Sequence, residues 1–123
     1  MIGKTGGIGI ILNILRIHID DVDMCKIGCC TLDSIINFNG PLTKELCKLG
    51  GLYVVLNILR THLSNEAVVN CCCNILINVV MFSQIFDEFF TQEHMHEFEV
   101  CYKKQMSSDV LAWLYFLLIE KYN

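Results

Sequence analysis

No run of apolar residues in this chain is long enough to cross a bilayer. The apolar stretch 110–119 is about ten residues, where roughly twenty are needed, so no membrane span is expected. Basic residues are few, 9 Lys and Arg against 13 Asp and Glu, and Lys103-Lys104 is their only adjacent pair. A nucleic-acid interface needs a basic patch that displaces counterions, so the net charge of −4 argues against nucleic acid as a partner. The same acidic balance disfavours binding to a membrane surface. Met1-Ile2-Gly3-Lys4-Thr5 lacks the pattern of a signal peptide, and Ile2 in place of Gly excludes myristoylation as the chain stands.

Catalytic and metal-binding constellations are missing too. Gly3-Lys4-Thr5 ends like a phosphate-binding loop, but the strand and the upstream glycine that such a loop requires are absent. His94, Glu97 and Cys101 share a helical face at i, i+3, i+7 without a fourth ligand, and Cys25 and Cys29 have no paired CxxC. Asp20, Asp21 and Asp23 lack the spacing and closing Glu of a calcium loop. No nucleophile, base and orienting group stand together. An enzyme is not expected, nor a cofactor or bound metal.

What is present is apolar and repetitive. Hydrophobic residues make up 54% of 123, which implies helices buried on more than one side or surface meant for a neighbour. Eight cysteines suggest a disulfide framework until their placement is read. Cys29-Cys30 and Cys71-Cys72-Cys73 lie within apolar helical segments, where cysteine acts as a small buried hydrophobe. Reduced thiols in an intracellular, cytoplasmic protein are the expectation.

Residues 6–40 align without a gap on residues 50–84, at a period of about 44 residues, inside the range of helical repeat arrays. Gly6-Gly7 matches Gly50-Gly51, Leu12-Asn13-Ile14-Leu15-Arg16 matches Leu56-Asn57-Ile58-Leu59-Arg60, and His18 matches His62. The recurrence of His18 and His62 points to an end-of-helix role.

Each unit reads as helices. Ile8, Ile11, Leu12 and Leu15 fall on i, i+3, i+4, i+7. The glycine pair breaks the preceding helix and allows close approach at a sharp corner. A polar turn over 18–23 leads into a longer helix carrying Ile27, Gly28, Leu32, Ile35 and Ile36; Ser64-Asn65-Glu66 repeats that turn with an N-cap and an acidic first-turn residue. Pro41 suits the first turn of a short helix over 42–49. A degenerate third unit has a short helix over 84–90, His94-Met95 in place of the glycine pair, a medium helix over 96–104, and a last helix over 110–122 capped by Ser107-Ser108-Asp109. The chain is therefore one domain, 1–123, with units of about 6–49, 50–93 and 94–123.

Along the long helix of the second unit, Asn70, Asn74 and Asn78 stand at i, i+4, i+8, a polar stripe on an apolar helix. Lys26, Cys30 and Ser34 are the equivalents in unit one, and Trp113, Leu117 and Lys121 in unit three. Asn amides both donate and accept, so such a ladder suits the backbone of an extended peptide, with Trp113 as an anchor. The alternative is a plain solvated face, with Trp113 in the core.

Three helices per unit, this period, the glycine pair and a third helix rich in small residues resemble the armadillo repeat. The pattern of that third helix is met by Gly28-Cys29-Cys30-Thr31-Leu32-Asp33-Ser34 and Cys72-Cys73-Asn74-Ile75-Leu76-Ile77-Asn78. The resemblance covers residues 6–82 well. It implies an all-α, right-handed α-α superhelix whose third helices line a groove for an extended segment of a partner protein. The family's backbone-binding Asn falls on Asn78 and, replaced, on Ser34. The aromatic of nuclear-import adaptors is Cys30 or Asn74 here, which argues against basic localisation signals as ligands. The resemblance implies an interaction module or scaffold. The alternatives are a structural spacer or a fragment of a longer array. The chain begins almost on a glycine corner, so that end should expose core and self-associate.

Overall fold

The structure, a computed structural model, describes residues 6–122. The Gly3-Lys4-Thr5 segment lies outside them. Among the described residues there are eight helices and no strand: α1 (Gly7–Ile17), α2 (Val22–Ile36), α3 (Gly40–Lys48), α4 (Gly51–Thr61), α5 (Glu66–Met81), α6 (Ser83–Phe89), α7 (Gln92–Lys104) and α8 (Asp109–Tyr122). The chain is all-α, as its apolar spacing predicts.

Helix starts are set by side chains that satisfy the first free N–H groups. Asp21 accepts from the N–H of Asp23 and Met24 at the start of α2, and Asn39 accepts from Leu42 in α3. Asn65 accepts from Val68 in α5, and Ser108 Oγ from Leu111 in α8. α1 and α4 start differently. Gly6 and Gly50 precede them at φ 79°, a left-handed conformation that costs glycine nothing. The second glycine of the pair answers to space: a Cβ on Gly51 would lie 2.7 Å from the Leu46 carbonyl oxygen.

Counterpart helices of successive units pack on one another. α2 contacts α5 and α5 contacts α8; α1 contacts α4 and α4 contacts α7; α3 contacts α6. The core runs through these contacts, with Leu12, Leu15, Leu32, Ile58, Leu59, Ile75, Leu76, Phe98 and Leu111 fully buried. Each such side chain contributes about 2 kcal/mol of transfer free energy.

The joint between the long helix and the short helix after it differs in the two units. Asn37, Phe38 and Asn39 link α2 to α3, with Phe38 at φ 54°. Phe82 alone links α5 to α6, which meet at 105°. Among the described residues no single helix is long and apolar enough to cross a membrane; α5 and α6 reach that length and hydropathy only as this bent pair.

The third unit opens earlier than the sequence suggests. His94-Met95 is not a corner but lies inside α7, which starts at Gln92 rather than His96. The reason is a capping box: Thr91 Oγ1 accepts from the His94 N–H while His94 Nδ1 accepts from the Thr91 N–H.

Candidate functional site

The polar stripe predicted on the long helices divides. Lys26, Cys30 and Ser34 on α2, Asn70 and Asn74 on α5, and Trp113 on α8 are exposed. Trp113 keeps 52% of its surface, so it is not a core residue. The Ser34 hydroxyl donates back to the Cys30 carbonyl (3.0 Å), which leaves its lone pairs outward. Leu117 is half-buried. Lys121 turns toward α6, where Nζ donates to Ser83 Oγ (3.3 Å) above the Phe86 ring.

Asn78 is the correction. It is 4% exposed and fully engaged. Its Oδ1 accepts from the Phe38 N–H (3.2 Å), and its Nδ2 donates to Asp33 Oδ1 (3.3 Å) and the Asn74 carbonyl (3.1 Å). Eight residues of α-helix overshoot two turns by about 80°, so i and i+8 do not share a narrow face. Asn70 and Asn74 look outward, whereas Asn78 looks into the α2–α3 corner. Ser34, its counterpart, is exposed.

Asp33 sits behind Asn74 and Asn78. Burial pushes its carboxyl above the ordinary value, and the Asn74 amide acts the other way. A polar cleft of about 400 Å³ opens beside Asn70, lined also by Ser64, Glu66, Ser107, Asp109 and Val110. An apolar cleft of about 590 Å³ lies apart from the stripe, between α3 and α6, walled by Pro41, Met81, Phe82 and Ile85.

The thiols split into two classes. Cys25, Cys29, Cys47, Cys72, Cys73 and Cys101 are buried, as small core residues should be. Burial pushes Cys47 and Cys73 up to about 12 and Cys25 to about 11, so they stay protonated near neutrality. Cys30 and Cys71 depart from the expectation: Cys30 is exposed, Cys71 half-buried, and their sulfurs stand 2.6 Å apart across the α2–α5 contact.

His94, Glu97 and Cys101 do not converge. His94 is buried against the rings of Tyr53 and Phe90, with Nδ1 engaged by Thr91. Glu97 pairs with Arg60 at 2.9 Å, and Cys101 is buried. Among the described residues no three His, Cys, Asp or Glu side chains are grouped to hold a metal.

The repeated Leu-Asn-Ile-Leu-Arg segment has a role that the sequence reading missed. Arg16 donates to Asn13 Oδ1 (2.9 Å) and to the Leu49 carbonyl (2.8 Å) at the end of α3. Arg60 bonds Asn57 Oδ1 in the same way and reaches Glu97 on α7. In each case Asn orients an Arg: Arg16 reaches the end of α3 in its own unit, and Arg60 bridges to α7 in the next. His62 adds a third link, Nε2 donating to the Ile19 carbonyl (2.7 Å), while His18 and His62 close α1 and α4 as C-caps. Recurrence of Asn, Arg and His in both copies was the signal available in the sequence. No family model matches the chain, and neither a curated protein nor a solved structure matches it.

Proposed function

We propose that this chain is a protein-interaction module, an armadillo-like right-handed helical stack that holds an extended peptide segment across α2, α5 and α8. The observation that carries this reading is the exposure of Asn70, Asn74 and Trp113 on one layer of counterpart helices. The two amides offer donors and acceptors to a peptide backbone, the polar cleft beside Asn70 admits a side chain, and Trp113 supplies an apolar anchor. The mechanism is passive, with affinity coming from a preformed surface rather than a conformational change. No catalysis is proposed. A cytoplasmic setting, with most thiols reduced, goes with this reading.

Peptides selected from a random display library on the wild-type chain provide the test. Asn70→Ala with Asn74→Ala should weaken them about tenfold or more, as should Trp113→Ala. Peptides that bind all three proteins equally would remove the stripe from the site.

A second reading, a structural spacer within a longer helical array, has its own observation. Ile10 is 61% exposed and Ile14 39%, whereas their counterparts Val54 and Ile58 are buried. Those positions in the second unit meet the unit before it. In the first they meet solvent.

A further inference from the structure

We propose that Cys30 and Cys71 form a reversible disulfide that staples α2 to α5 across the exposed stripe. Their sulfurs are 2.6 Å apart, well inside van der Waals contact and about half an ångström beyond a covalent S–S bond. Closure therefore brings the sulfurs together by only that half ångström. Both are free thiols in the structure.

Selectivity comes from access. Cys29 and Cys72 form a parallel pair at 3.9 Å in the same helix contact, but both are fully buried. Cys30 is exposed and is the sulfur that a dissolved oxidant reaches first. Cys71 is half-buried, and burial and its contact with Cys30 push its thiol up to about 12, so it stays protonated near neutrality. Those are the parts of an attacking and a resolving cysteine.

The oxidant class is a hydroperoxide. The Cys30 sulfur attacks the terminal peroxide oxygen, the O–O bond breaks, and an alcohol (water, for hydrogen peroxide) leaves with Cys30 as a sulfenic acid. The Cys71 sulfur then attacks the Cys30 sulfur, its thiol proton passes to the departing hydroxide, and water leaves. Two thiols and one hydroperoxide give one disulfide, one alcohol and one water. The two electrons pass from the sulfur pair to the peroxide, and a dithiol reductant reverses the change. The bond would join residues from two successive units and remove two thiol groups from the stripe beside Lys26 and Asn74. The proposal does not depend on peptide binding.

The experiment is treatment of the reduced full chain with a small excess of hydrogen peroxide, followed by mass mapping without reductant. The expected product is a monomer lighter by two hydrogens, with fragment ions that join Cys30 to Cys71. It should melt about 10 °C higher than the reduced chain and revert with dithiothreitol. Cys30→Ser and Cys71→Ser should each abolish the link, and Cys29→Ser should keep it. Wild-type mapping decides the matter even where a variant folds poorly. The proposal is overturned by any of four results: Cys30 over-oxidised while Cys71 still alkylates, a link through Cys29 and Cys72, a dimer joined at Cys30, or a linked monomer that melts no higher.

Discussion

At Gly50-Gly51 two neighbouring glycines meet different demands. Gly50 supplies a left-handed φ of 79°, and Gly51 lets α4 start against the Leu46 carbonyl. Gly50→Ala should cost about 1 kcal/mol, the ordinary penalty of that conformation for a residue with a Cβ. Gly51→Ala should cost more, about 2–3 kcal/mol, because a backbone oxygen must yield. Urea unfolding of both variants checks the order, and equal losses would show that the corner has slack. The pair was legible as a corner because it recurs at the same place in both units. Which glycine serves conformation and which serves space was not, since that depends on where Leu46 lies. Asn78 teaches the same lesson at the candidate site. Its spacing from Asn70 placed it on the stripe, and only the position of Phe38 and Asp33 shows that its amide is used inside the fold.

The start of α7 rests on an imidazole. Its capping box needs an unprotonated His94 Nδ1 to accept from the Thr91 N–H. Burial lowers the His94 pKa from its ordinary 6.5, so the folded chain binds this proton less readily than the unfolded chain. Stability from His94 is therefore complete above about 6.5 and falls as pH drops from there toward the folded value. Melting temperature should decline between about pH 7 and 5, and His94→Gln should flatten that part of the profile. An unchanged slope would assign the decline to other groups. The remaining helices were legible from apolar spacing and from caps at Asn65 and Ser108, whereas the Asp21 cap of α2 had been read only as part of a polar turn. α7 was misplaced because the glycine register was carried forward onto His94-Met95, where a threonine cap had replaced it.

For the molecule as a whole, the two ends differ. Exposed residues on α1 are Ile10, Asn13, Ile14, Arg16 and Ile17; on α7 they are Gln92, Glu93, His96, Lys103 and Lys104. Water covers the second set well and the first poorly. The wild-type chain should therefore self-associate with rising concentration. Ile10→Lys with Ile14→Lys should give a monomer with an unchanged helical melt, because neither side chain lies in the core. Light scattering on both proteins checks this, and a wild-type chain that stays monomeric at high concentration would show that the α1 face is tolerated as plain surface. The apolar face of α1 was foreseeable from the glycine corner at which the first unit opens. The seam of Cys30 and Cys71 was not, because no spacing within one helix reports what faces it across another.

The Asn–Arg bridges also bear on how such a chain lengthens. The Arg donor and the Asn that accepts from it, Arg16 with Asn13 or Arg60 with Asn57, are copied between units, whereas the second acceptor is a backbone carbonyl in one case and a carboxylate in the other. A duplicated segment thus carries its own Asn-oriented cation, which finds an oxygen at the end of its own unit in one copy and on the following unit in the other. The third unit has Val100 and Lys103 near the corresponding places, so the pair is not handed on.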